Sequence, residues 1–182
     1  MLKKCLSNFQ LLCFLLEGIK IETAAKRVKL FYEIKVKNPN LFKNRDPESQ
    51  EIQQCLRSQN FFFLPLTPEG KSVIYLGLID FRASSWHFDE SSKTCLMLCE
   101  QCICNHGPSK GVEFLIDMKG ATLSHLTKPN IKTIISIIQF AFYACPANIK
   151  AIHVLNAPSF FDTIVKLFLK PFIKIELKDL VS

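Results

Sequence analysis

The chain has 182 residues, 48% of them apolar, 21% charged and 11% aromatic, which is enough for one buried core and too little for a second full domain. Its formal net charge of +7 suits an acidic partner but does not by itself separate nucleic acid or lipid head groups from a solvated surface. The longest apolar runs, 11–16 and 134–144, fall short of the ~20 residues that cross a bilayer, so no transmembrane helix is expected.

At the N-terminus Lys3 and Lys4 precede an apolar stretch from Leu11, the outline of a signal peptide. Cys5, Asn8 and Gln10 dilute it and no small-residue cleavage site follows, so secretion is not expected. Helices are predicted over 6–16 and 22–37; in the second, Ala24, Ala25, Val28, Phe31 and Tyr32 recur at helical spacing and Asn38-Pro39 ends the run. Asn44-Arg45-Asp46-Pro47 reads as a turn and domain boundary, with a short helix over 48–58 beyond it. Then follow a strand over 73–81, a helix over 90–104, a strand over 112–117, a helix over 130–144, a strand over 151–155 and a helix over 159–169. Strands alternating with helices imply crossover connections, hence an α/β fold with a mostly parallel sheet. The expected organisation is a small helical region over 1–46 and an α/β domain over 60–182.

Two late helices carry more apolar surface than a small sheet covers. In 130–144 the polar residues Lys132, Ser136, Gln139 and Tyr143 make one narrow stripe; in 159–169 Ser159 and Asp162 suit the start and Phe160, Phe161, Ile164, Val165, Leu167 and Phe168 are apolar. Such surface is covered by ordinary core packing, a partner protein, or a cavity that holds something greasy. Enzymatic signatures are scarce. The six glycines form no phosphate loop, there is no nucleophile elbow, and His125 and His153 read as hydrogen-bonded structural residues. No catalytic residue and no cofactor is expected.

Eight cysteines, most of them scattered, suit a reduced protein. Cys95, Cys99, Cys102 and Cys104 are closely spaced, but no second ligand pair follows, so packing is preferred to a metal site. Residues 1–45 carry ten Lys/Arg and three Glu, and the remainder has thirteen of each sign, so the basic excess lies in the N-terminal helices. Only Phe31 and Tyr32 interleave with those bases, which argues against nucleic acid.

Several stretches then fall in order: Leu64-Pro65-Leu66-Thr67-Pro68-Glu69-Gly70-Lys71, residues 111–120 (GVEFLIDMKG) with Leu123-Ser124-His125-Leu126, Ile152-His153-Val154-Leu155-Asn156-Ala157-Pro158, and Lys170-Pro171-Phe172. Together they resemble the CRAL-TRIO (Sec14-like) lipid-binding domain, in its alpha-tocopherol transfer protein and retinaldehyde-binding protein branch. Phe14-Leu15, Asn38-Pro39, Leu41-Phe42 and Asn44-Arg45-Asp46-Pro47 are similar to that branch's N-terminal helices. The resemblance implies a monomeric carrier, cytoplasmic and peripheral at membranes, that shields a tocopherol-, retinoid- or phospholipid-like molecule under a mobile helical lid. It places Ile137, Phe140, Ile152, Phe161, Ile164, Leu167, Phe168 and Phe172 in the pocket and lid. Arg27, Lys150 and Lys178 become candidates for an anionic, phosphoinositide-type head group, although Gly18, Glu176 and Leu180 replace bases of the family pattern. The pattern also implies a further strand and a closing segment after Ser182, so the chain is expected to be incomplete at its C-terminus. A protein-interaction module or a non-binding fragment of a carrier is the alternative.

Overall fold

The structure is a computed structural model that describes residues 20–106 and 111–166. Helix α1 spans Ile21–Lys37 and stops where Asn38 takes a non-helical backbone and turns its side-chain amide back to the Ile34 carbonyl at 2.9 Å. Pro39 opens the short α2, Pro39–Phe42, because a missing N–H costs nothing at a first helical position. Then come α3, Gln50–Ser58, and β1, Gln59–Leu64. Next are β2, Ser72–Leu78; α4, Phe88–His106; β3, Val112–Asp117; and the single turn α5, Leu123–Leu126. The described residues end with α6, Ile131–Gln139, β4, Ile149–Leu155, and α7, Phe161–Ile164.

The four strands lie in the order β1-β2-β3-β4, with β2, β3 and β4 parallel and β1 antiparallel to β2. This is an α/β fold with a mostly parallel sheet and crossover helices. Helices α1 and α2 share one core with the sheet: Phe31, Ile34 and Leu41 are buried in the same cluster as Ile74, Val112, Phe114 and Phe140.

Several expected elements differ from those observed. β1 was not anticipated. The strand expected to reach residue 81 ends at Leu78, because the N–H groups of Ile79 and Asp80 turn to the Ser58 carbonyl at 2.8 and 3.1 Å. The helix expected over 130–144 is α-helical only to Gln139; it then widens into a π turn, Phe140–Ala144, in which the Cys145 N–H donates to the Phe140 carbonyl five residues back at 2.6 Å. In the last described helix Phe160 is the N-cap with no side-chain cap, so neither Ser159 nor Asp162 serves there. The helix expected over 6–16, and 167–169 of the last, lie outside the described residues. His153 is not a core residue: its side chain is 42% exposed on the open face of the sheet, with Nε2 3.4 Å from Glu113, which also takes Lys71 at 2.7 Å.

Candidate functional site

Strand periodicity sets the floor of the site. Side chains alternate between the two faces of a sheet, so positions two apart on every strand form successive rows on the face that the helices cover. Register places Phe63, Ile74, Phe114 and Ile152 in one row and Phe61, Leu76, Ile116 and Val154 in the next. Around the first row the interior is filled. Phe140 lies 5.5 Å from Phe31 and 5.0 Å from Phe42 between ring centroids, and Ile74 is fully buried.

Over the second row the interior is hollow. A cavity of about 370 Å³ rests on Phe61, Leu76 and Ile116 and is walled by α4, by the segment 117–126 and by Ile137 and Phe160. One stripe of α4 explains the boundary. Phe88, Ser91, Ser92, Cys95 and Leu96 face the cavity, and continuing that stripe at helical spacing brings Cys99, Cys102 and Ile103 into the filled core. A second depression beside α3, lined by Glu48, Gln50, Gln53, Gln54 and Arg57, is a surface groove of polar side chains.

The cysteine group divides along the same helix. Cys99 and Cys102 are buried, Cys95 is half-buried and Cys104 is exposed. A hydrogen bond with Cys95 and burial push the Cys99 thiol well up, and burial pushes Cys102 up, which keeps both as protonated, inert packing groups. Burial likewise raises Cys55 to about 11. Among the described residues no group of three or more His, Cys, Asp or Glu is placed to hold a metal.

Polar groups sit at one end of the cavity. The Gln59 side-chain oxygen accepts from Trp86 Nε1 at 3.1 Å and from the Ser91 hydroxyl at 2.6 Å. On the opposite face of the sheet, where Tyr75 lies, the Asp117 carboxylate accepts from the Asn156 amide at 2.8 Å, the Lys119 N–H at 2.9 Å and the Tyr75 hydroxyl at 3.0 Å, and the first two of these chiefly hold it below the usual carboxylate range. The turn after Asp117 depends on Gly120 at φ +80°, where a Cβ would run into the Phe81 ring. That turn delivers Thr122 and His125 to the cavity wall.

Of the residues expected at the pocket, Ile137 lies on the cavity wall, Ile152 is half-buried in the filled row, and Phe140 belongs to the filled core and is absent from the wall. Phe161 is half-buried at the start of α7, beside the wall residue Phe160, and Ile164 is the last residue of that helix. Leu167, Phe168 and Phe172 lie outside the described residues, as does Lys178. Arg27 is half-buried on α1, and Lys150 is exposed on β4. Elsewhere on the basic segment Lys35 pairs with Glu100 at 3.2 Å, and Lys29 faces Glu33 at 3.9 Å. The wall residues that sequence reasoning missed are those of β1, β2, the N-terminal half of α4 and 116–126, together with Trp86. The spacing of residues 88, 91, 92, 95 and 96 was the available signal for α4.

The fold and a hydrophobic hollow between sheet and helices define the class. The profile of the CRAL/TRIO domain matches residues 56–182, and the chain belongs to that family, whose members bind lipids and other hydrophobic small molecules. The alpha-tocopherol transfer protein-like proteins of human and Pongo abelii are each 30% identical to it over 141 residues, which cover 75% of this chain and 40% of theirs. The mouse counterpart is 30% identical over the same length, 39% of its own. The chain thus spans about 40% of the length of these relatives. Among solved structures Sfh5 superposes with a TM-score of 0.57 over 95% of this chain and 65% of that one, at 11% identity, a likeness of fold. Among the described residues no helix is long and apolar enough to cross a membrane.

Proposed function

We propose that this chain binds one small hydrophobic molecule in the cavity over Phe61, Leu76 and Ile116 and carries it between membranes. The observation that carries this reading is the cavity itself: about 370 Å³ lined mainly by apolar side chains. A pocket of that size leaves apolar side chains facing water beside a filled core, and a hydrophobic ligand covers them. Family membership and the relatives' name support the same reading. The segment from Phe160 through Phe172, with Phe161, Ile164, Leu167 and Phe168, is assigned the lid that opens at a membrane surface. Arg27, Lys150 and Lys178 are assigned to an anionic, phosphoinositide-type head group, and the carrier is monomeric, cytoplasmic and without catalytic activity of its own.

Mass spectrometry of an organic extract of the purified protein tests the reading. A stoichiometric lipophile is expected, or its uptake from vesicles when the protein is purified empty. A protein that yields no lipophile and takes none up is not a carrier.

A further inference from the structure

The thiols of α4 divide by what can reach them. Cys99 and Cys102 are buried and Cys104 is exposed, whereas Cys95 is half-buried and lies on the cavity wall with Phe88, Ser91 and Ser92. Cys99 and Cys102, four and seven positions on, share its side of the helix and sit in the filled core. The surface that Cys95 keeps is therefore cavity surface, and a solute reaches its sulfur through the hollow. A hydrogen bond joins Cys95 to Cys99, and Cys99 holds its own proton firmly. Cys99 is thus the donor and the Cys95 sulfur the acceptor.

One turn earlier, Ser92 is 9% exposed on the same wall. The hydroxyls beside it are engaged: Ser91 donates to Gln59 at 2.6 Å, and Thr94 donates back to the Glu90 carbonyl at 2.8 Å. Among the described residues the Ser92 hydroxyl makes no hydrogen bond. It is also not one of the unpartnered atoms sealed from solvent, which are Arg45 Nε, Arg45 Nη2 and His125 Nε2. It is therefore open to the hollow, where a polar group of the occupant can meet it. Residues three apart on a helix stand about 5–6 Å apart at Cβ, close enough for one conjugated carbonyl to touch both Ser92 and Cys95.

We infer that Cys95 and Ser92 form a covalent capture site for lipophiles that carry an α,β-unsaturated carbonyl, that is, an enal or an enone. This rests on the carrier reading and adds a stoichiometric reaction to it. The Cys95 sulfur bonds to the β-carbon, the C=C π pair moves through the α-carbon towards the carbonyl oxygen, and Ser92 donates a hydrogen bond to that oxygen. The thiol proton ends on the α-carbon. The adduct thus keeps every atom of both partners, with no leaving group, oxidant or reductant. The Cys99 S–H steadies the Cys95 sulfur as its proton leaves. The apolar wall gathers a long tail beside Cys95, and Cys104 is not on that wall.

Labelling of the full wild-type chain with 3-nonen-2-one and with 3-penten-2-one tests the assignment, since the two share a reacting group and differ by four methylenes. Glutamyl endopeptidase separates residues 91–100 from 101–113, and fragment-ion mass spectrometry then gives the rate at each cysteine. At Cys95 the longer enone is expected to react at least about tenfold faster, because its tail is buried on the wall. At the exposed Cys104 the two should react alike. The same rate ratio at both cysteines, or no adduct at Cys95, would overturn the capture site. When Cys95 stays unlabelled, binding of the saturated 2-nonanone in equilibrium dialysis leaves the carrier reading standing, and no binding removes both. Ser92→Ala is expected to slow 3-nonen-2-one at Cys95 by about threefold to tenfold and to leave alkylation by 1-iodooctane, which has no carbonyl, unchanged. Equal slowing of both reagents, or slowing of neither, would overturn the role given to Ser92.

Discussion

Two neighbouring rows of one sheet face end in opposite states. Phe63, Ile74, Phe114 and Ile152 lie beneath the filled aromatic group of Phe31, Phe42 and Phe140, whereas Phe61, Leu76, Ile116 and Val154 lie beneath or beside a hollow. Composition explains little of the contrast, since the first row holds two rings and two aliphatic chains and the second one ring and three aliphatic chains, all of them apolar. What differs is the roof. Helices α1 and α2 reach the first row, and their position is fixed by ion pairs of Lys35 and Arg45 with Glu100 of α4 at 3.2 and 2.9 Å. The second row is roofed by the start of α4 and the 117–126 segment, where serines, Gln59 and His125 replace close-packed hydrocarbon. The three residues from Ile137 in α6 to Phe140 at the start of the π turn, just under one helical turn, carry the chain from the hollow to the core.

The largest effect that would break this contrast is at Phe140. Truncating a ring that is 1% exposed leaves a cavity among Phe31 and Phe42, and Phe140→Ala is expected to cost about 3–5 kcal/mol of unfolding free energy, read from the urea midpoint. A cost under ~1 kcal/mol would mean that the first row is no better packed than the second. The matching deletion on the hollow is Ile137→Ala. Part of that side chain already faces empty space, so it is expected to cost about 1 kcal/mol, well below the 2–5 of a filled core, and to show itself chiefly as weaker ligand uptake.

How far the sequence could be read follows the same division. Regular amphipathic period made α1 and β3 legible almost to the residue, because each buries one face only. Strand β1 was missed because it does not alternate: Phe61 and Phe63 face the helices while Phe62 stacks on Tyr75 at 4.6 Å on the other face. Three consecutive rings carry no period of two. Phe140 was expected at the pocket from the family resemblance, which gives its place just beyond α6 but not what covers it, which is α1, about one hundred residues away in sequence. His125 was expected to be hydrogen-bonded, and one ring nitrogen is; that the other has no partner depends on tertiary packing that brings Trp86 against the ring.

The smallest expected effect is one of slope, and its sign follows from burial. Desolvation lowers the His125 pKa from the usual 6.5, and the charge of Lys128 acts in the same direction. The folded ring therefore takes up its proton at lower pH than the unfolded ring. The unfolded chain binds more protons in that interval, so His125 contributes full stability above about pH 6.5 and loses it as the pH falls through the folded value. The depressed carboxyls act in the same sense but lower down, since Glu113 and Asp117 start from 4.5 and 3.8. Differencing the melting temperatures of wild type and His125→Phe between pH 7.5 and about pH 5 isolates the histidine from them. Wild type should lose more than the variant over that interval. Parallel curves would mean that the ring takes up protons as readily in the folded protein as in the unfolded chain, and that the polar end of the hollow is wet.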